Sequence, residues 1–342
     1  MSDGAAAHRP DRREFLRVMT SAGALFCLGG ADALAAAPKR RPVASAPEFT
    51  YQYRTLSARH VREVGDWYAR LDRRRQLSTQ PTYRKYIGNF RFHPPKELPG
   101  ARSLVIIAIP QRICAVTFRV DGGQREVLIP TGYVDQGVPA QTIQDRVRRD
   151  VLGGRGRLFV PLKLPQKILA VRSGLAEYGR NNITFVEGYG SFHELRGYWT
   201  DRDLPDHWRP LRLMRECKGC SICLKACPTR AFANREFVLD AGKCLTLYNE
   251  LEDPFPAWIP SSAHHTLVGC LRCQYTCPGN RDHIHEVERL AEIPEAETRF
   301  LLSGMRDPKL EKAIMDRLPR YPVGFPHFAR AARLALANGP VV

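Results

Sequence analysis

The chain has 342 residues, 44% of them hydrophobic and 25% charged, a balance that fits a folded globular protein and excludes a disordered or fibrous one. Its length allows two or three domains. With 52 lysines and arginines against 35 acidic residues the formal net charge is +17, which invites an anionic partner; the basic residues are nevertheless scattered, with only local clusters such as RLDRRR at 70–75 and RVRRD at 146–150.

Residues 1–37 read as a targeting segment and are set apart from the fold. Arg12-Arg13 is followed by Phe15 and Leu16, then by the small, apolar run VMTSAGALFCLGG, then by ADALAAAP with cut sites after Ala35 or Ala37. Twin arginine, a modest apolar core and a small-residue cut site are the features of a Tat signal. The run is too short and too rich in Gly and Ala for a membrane span, and no later stretch is long and apolar enough. The expectation is a periplasmic or otherwise exported protein, with any membrane association made through a partner.

Residues 38–99 are expected to hold a linker, PKRRPVASAPEFT at 38–50, and a helical region, with apolar residues at helical spacing over 55–77. Residues 100–210 alternate strand and helix. ARSLVIIAIP (101–110) reads as a buried strand. ICAVTFRV and REVLIP read as a hairpin turning at Gly122-Gly123. Residues 139–154 read as a helix with Pro139 at its start and glycines at its end. A short helix, a glycine-containing loop and a strand follow up to 186. Residues 211–290 carry the cysteines, and the segment from 286 to the end reads as helical, including FPHFARAARLALAN near the terminus. The fold class expected is α+β: an α/β domain, a small two-cluster domain, and a helical segment over 291–342.

The chemistry lies in CKGCSICLKACP. Its pattern is C-x2-C-x2-C-x3-C-P, formed by Cys217, Cys220, Cys223, Cys227 and Pro228. Three thiolates at this spacing wrap one iron–sulfur cubane, and the fourth points to a second. The second motif, CLRCQYTCPG, supplies Cys270, Cys273 and Cys277 but has Leu267 where its first cysteine would stand. Cys244 is the spare. The crossing rule gives one cluster to Cys217, Cys220, Cys223 and Cys277, and the other to Cys244, Cys270, Cys273 and Cys227. Zinc sites pair two C-x2-C units instead. Cys114, in a strand-like setting, reads as a buried apolar residue. The histidines at 264–265 and 283–285 flank the second motif and read as solvated or hydrogen-bonding groups.

Several stretches together resemble the corrinoid-dependent epoxyqueuosine reductases and reductive dehalogenases. They are LPGARSLVIIAIP, the segment SGLAEYGRNNITFVEGYGSFHELRGYWTDRDLP (173–205), and LDAGKCLTLYNE followed by GCLRCQYTCPGNR. The resemblance spans roughly 95–340. It implies a nitroreductase-like α/β domain that binds cobalamin, with Gly174, Gly179, Arg180 and Asn181 as corrinoid contacts, fed with electrons by two [4Fe–4S] clusters. It implies as partners a redox donor protein or a quinol-linked membrane protein, and a small-molecule substrate of the dehalogenase type. In the tRNA-modifying members a Gly-x-Asp-Tyr-His stretch supplies a proton-donating acid. Here Val138 stands at the Asp position, leaving Asp135 or Tyr133 as candidate catalytic acids. That departure, with the export signal, disfavours tRNA as substrate. The alternative is an electron-transfer protein that has lost the corrin.

Overall fold

The structure, a computed structural model, describes residues 49–339 except 136, 160–161, 233–236 and 252. The twin-arginine segment and most of the linker lie outside the described residues.

The architecture is built around the apolar run expected at 101–110. It forms strand β2 (Ser103–Pro110), buried along nearly its whole length. Alternate side chains leave a strand on opposite faces, and here both faces are apolar. Leu104, Ile106 and Ala108 join one core with Val61, Val64, Leu169 and Val171. Val105, Ile107 and Ile109 join another with Ile143, Val147 and Tyr198. Such a strand needs helices on both sides. Helices α1 (Val61–Arg73) and α4 (Gln166–Arg172) supply one layer, and α3 (Ala140–Leu152) supplies the other. Helix α2 (Pro81–Ile87) follows α1.

The backbone of β2 is satisfied by antiparallel neighbours on each side, β1 (Gln52–Ser57) and β8 (His193–Thr200), and β5 (Leu158–Phe159) extends the sheet to the order β1-β2-β8-β5. The start of the helix expected over 55–77 is thus a strand. Leu56 pairs with Leu104, and the edge of β2 claims residues 52–57 before the helical spacing takes hold. Strand β8 went unread in the sequence. Its Gly197 lies opposite Ile106, and a side chain there would collide with Leu162 and reach 3.2 Å from Ile106 Cδ1.

The expected hairpin is present as β3 (Ile113–Val120) and β4 (Gly123–Ile129). Its turn falls one residue earlier than read. Val120 pairs with Gly123, and the two central residues, Asp121 (φ 51°) and Gly122 (φ 72°), are both left-handed, as a two-residue hairpin of primed type requires. The short pair β6 (Glu177–Tyr178) and β7 (Thr184–Phe185) closes the loop after α4.

The segment from 286 onward opens with a strand instead of a helix. Strand β9 (Val287–Ile293) runs parallel to β3 and completes a second sheet of order β4-β3-β9. Three helices follow: α8 (Glu295–Ser303), α9 (Pro308–Asp316) and α10 (Phe325–Asn338). Their apolar faces meet the hairpin in one core that includes Cys114, Phe118, Phe300, Ile314 and Phe328. Cys114 is buried there, its thiol pushed up to about 11 by desolvation, in keeping with a core residue. Between the two sheets lies the cysteine segment, made of turns and three short helices: α5 (Ile222–Ala226), α6 (Leu245–Asn249) and α7 (Arg272–Tyr275). Among the described residues no helix is long and apolar enough to cross a membrane.

Candidate iron–sulfur site

Nine cysteines are described and all are free thiols. Eight of them line two cavities. One cavity, about 30 Å³, is bounded by Cys217, Cys220, Cys223 and Cys277. The other, about 110 Å³, is bounded by Cys227, Cys244, Cys270 and Cys273. The two motifs therefore exchange one cysteine each in space. Short helices produce this exchange: Cys223 lies within α5, and Cys227 stands at its C-terminal cap, where the chain turns extended and the thiol leaves the first group. Cys244 caps the start of α6, and Cys277 caps the turn Pro278–Asn280.

The donor set suits iron–sulfur cubanes. Each cavity has four thiols and backbone N–H groups aimed at sulfur: Arg180 N donates to Cys217 Sγ at 3.3 Å, and Ala231 N donates to Cys227 Sγ at 3.3 Å. Such bonds stabilise charge on sulfur and tune a cluster's potential. Among the described residues no three His, Cys, Asp or Glu side chains close tightly enough for a single metal ion. Burial pushes the Cys270 thiol up to about 12 and Cys273 well above its ordinary value, and holds Cys223 at about 11. Ligand thiolates are thus unfavourable until a metal centre compensates their charge.

The surroundings of the second quartet are polar and deep. Every residue from Ala263 to Gly269 is buried. His265 takes the Nδ1–H form: it donates to Ala263 O at 2.8 Å, and its Nε2 accepts from Leu271 N at 3.2 Å. It holds the turn that carries Cys270, a hydrogen-bonding role. Across the cavity stand Tyr133, Lys167, Thr184 and His193 from the α/β part. Lys167 Nζ donates to Asn182 O at 3.1 Å; burial lowers its pKa to about 8, opposed by the thiols of Cys244 and Cys273. His193 hydrogen-bonds Thr184 Oγ1 at 3.0 Å, and burial lowers it to about 4. Tyr133 donates to Glu250 Oε1. Glu250 is pushed up to about 8 by burial, and its Oε2 has no partner.

Of the residues expected to act, Tyr133 lines this cavity and Asp135 does not. Asp135 is exposed, and its carboxylate accepts from Gly137 N at 2.9 Å, so it shapes a turn. The four residues expected at the corrin make these contacts in the fold. Gly174 packs under the Arg209 guanidinium, whose Cζ would be 2.8 Å from an added Cβ. Gly179 is filled over by Asn181 and by the Phe185 ring at 2.6 Å. Arg180 and Asn181 belong to the cluster seats. Arg180 donates to Cys217 O at 2.8 Å, and Asn181 donates to Cys273 O at 3.1 Å while lining both cavities. Of the four, Asn181 lines the larger cavity.

Sequence reasoning missed Lys167, His193 and Glu250. A lone lysine in the apolar turn LPQKILAV and a terminal acid in CLTLYNE were the available signals. Only the packing of strands against the cysteine loops brings Lys167 and His193 to one cavity and sets Glu250 behind its wall, bonded to Tyr133.

A family described as "4Fe-4S double cluster binding domain" matches residues 216–280, so the chain carries two [4Fe–4S] clusters. The chain is 30% identical over 142 residues to an epoxyqueuosine reductase of Cellulophaga algicola, covering 41% of this chain and 45% of that protein. It is 24% identical over 286 residues to that of Bacillus cereus, covering 79% and 72%. The fold matches the epoxyqueuosine reductase structure from Streptococcus thermophilus with a TM-score of 0.57 at 18% identity, over 84% of this chain and 77% of that one. The chain spans about half the length of the first of the curated relatives it matches. Fold and cysteine site define an iron–sulfur oxidoreductase. Its fold and its cysteine segment are similar to those of the epoxyqueuosine reductases, in line with the motif resemblance.

Proposed function

We propose that the chain moves electrons singly to an acceptor reduced beside the second cysteine quartet. The observation that carries this reading is the shared cavity: four cysteines form one side of it, and Tyr133, Lys167, Thr184 and His193 form the other. When bound, the two clusters supply one-electron steps. The protein's own groups prepare the chamber. The Lys167 ammonium places positive charge beside Cys244 and Cys273, favouring added negative charge there. Burial pushes Glu250 up to about 8, so its carboxyl favours the protonated form at neutral pH, and it is bonded to Tyr133 of the wall. His193, neutral, positions Thr184.

The acceptor we favour is a small molecule. The stretch from Tyr133 to Ala140 offers the chamber the Tyr133 hydroxyl but no carboxylic acid, since Asp135 faces solvent. Reduction of epoxyqueuosine is the second reading, and the names of the relatives favour it. The residues named for the corrin fit other roles, so no step is built on that group. Export by the Tat route and a periplasmic redox donor remain part of the proposal on the strength of Arg12-Arg13 and the cut site.

The test is anaerobic reconstitution with and without cobalamin, followed by metal analysis and electron paramagnetic resonance (EPR). We expect about eight irons per chain and no retained cobalt. Cys227→Ser and Cys270→Ser should extinguish the same cluster signal, and Cys223→Ser the other. Stoichiometric cobalt would return the chain to the corrinoid reductases. Loss of different signals in Cys227→Ser and Cys270→Ser would overturn the crossed ligation.

A further inference from the structure

The first quartet sits beside an exposed rim. Ile222, which lines the first cavity, is 44% exposed. Gly219, between Lys218 and Cys220, is also exposed, and an added Cβ there would meet nothing within 4 Å. Covering this aliphatic side chain by a partner would be favourable.

The charges around this rim are lopsided. Arg215, Lys218, Lys225 and Arg281 are exposed and stand within a few residues of Cys217, Cys220, Cys223 and Cys277. None of the four has an ion pair among the described residues. Elsewhere surface arginines are commonly paired, as in Arg102–Asp203, Arg289–Glu126 and Arg317–Glu297. The acids on the rim are Glu216 and Asp282. An apolar centre flanked by four unpaired basic residues against two acids suits a short-lived encounter, in which net positive charge steers a partner and a small apolar contact seats it.

We propose that this face, centred on Ile222 and ringed by Arg215, Lys218, Lys225 and Arg281, docks an acidic one-electron carrier protein, so that electrons enter at the first quartet and leave at the second. The inference rests on the electron-transfer reading above and adds the partner and the direction. The step is simple in its balance: the reduced carrier loses one electron, the cluster held by Cys217, Cys220, Cys223 and Cys277 gains it, and no bond or proton changes hands. Charge complementarity decides the class of partner. A positive rim repels a basic carrier and attracts an acidic one, and with a Debye length near 10 Å the attraction is strong only at low salt.

The experiment uses the cluster-loaded protein, a reduced plant-type [2Fe–2S] ferredoxin of net negative charge as the carrier, and reduced methyl viologen as a small reductant. Affinity for the ferredoxin is measured by calorimetry, and cluster reduction by stopped flow, at low and high salt. Wild type should bind in a salt-sensitive way. The triple variant Arg215→Glu, Lys218→Glu, Lys225→Glu should bind about tenfold more weakly or worse, with iron content and reduction by methyl viologen unchanged. Glu216→Lys should bind more tightly, a gain that misfolding cannot mimic. Equal ferredoxin binding by wild type and the triple variant would overturn the proposal. So would a wild type that ignores ferredoxin while its RNA stem-loop affinity is lost in the triple variant, since the face would then belong to nucleic acid. Failure of methyl viologen to reduce wild type would count against the electron-transfer reading, while the binding arm would still decide the docking face.

Discussion

At the scale of single residues, burial sets the chemistry more than charge pairing does. His193 and His327 are both held near 4, chiefly by desolvation. Each is held in the fold by hydrogen bonds, His193 with Thr184 and Gly190 O, His327 with Asn249 O at 2.7 Å. A histidine whose folded value lies below its free value of 6.5 stabilises the fold fully above 6.5 and loses that contribution as pH falls toward 4. Glu250 has the opposite sign. Raised from 4.5 to about 8, it favours the fold while protonated, and that contribution is lost as pH rises from 4.5 through 8. The thermal midpoint of the wild type should therefore fall on both sides of a mildly acidic optimum. Glu250→Gln should flatten the alkaline limb and leave the acid limb in place; thermal melts from pH 4 to 9 measure both. A Gln variant that still loses stability between pH 6 and 8 would remove Glu250 from this account. None of these residues announced itself in sequence, because a histidine or glutamate carries no mark of its depth.

At the scale of elements, the C-terminal helices brace the second quartet. The Phe118 ring of β3 stacks on Phe328 of α10 with centroids 6.0 Å apart, and Tyr321 meets Phe328 edge-on at 5.3 Å. From the same helix His327 bonds Asn249 O, and Arg330 donates to Leu251 O and Asp253 O. These carbonyls follow Cys244 through α6. Phe328 is fully buried, and Phe328→Ala should cost about 3–5 kcal/mol. The cost should show as a lower urea midpoint and as selective loss of the cluster signal shared by Cys227 and Cys270. Equal loss of both signals would mean that α10 supports the whole cysteine segment and not its second half. The periodicity of FPHFARAARLALAN made this helix legible. Its partner was not legible, because the apolar stripe fits any complementary surface. Strand β9 was misread for a related reason: VERLAEI is compatible with a helix, and the parallel edge of β3 decides it.

At the scale of the whole molecule, the cysteine segment is not a detachable unit. The chain passes from the first sheet into the cysteine turns and then returns, through β9, to a hairpin it left more than a hundred residues earlier. Truncation after residue 290 removes half of β9's pairing and all three C-terminal helices, stripping one wall from the core shared with Phe118 and Ile129. Such a chain should be insoluble or cluster-free, a result read from solubility and iron content. A soluble truncate with full iron would show that the core is not shared in the way described. The sequence by itself determined the metal chemistry, because thiol spacing is a local property and C-x2-C-x2-C-x3-C-P suits few centres other than a cubane. It also determined the central buried strand, since a run apolar on both faces has few other homes. Only the tertiary structure decided which groups face the second quartet, and it turned Gly179, Arg180 and Asn181 from expected corrin contacts into supports for the clusters. The physical reason is distance along the chain. Ligand spacing is written over a dozen residues, whereas a cavity wall is assembled from strands, loops and helices whose meeting depends on the packing of the whole.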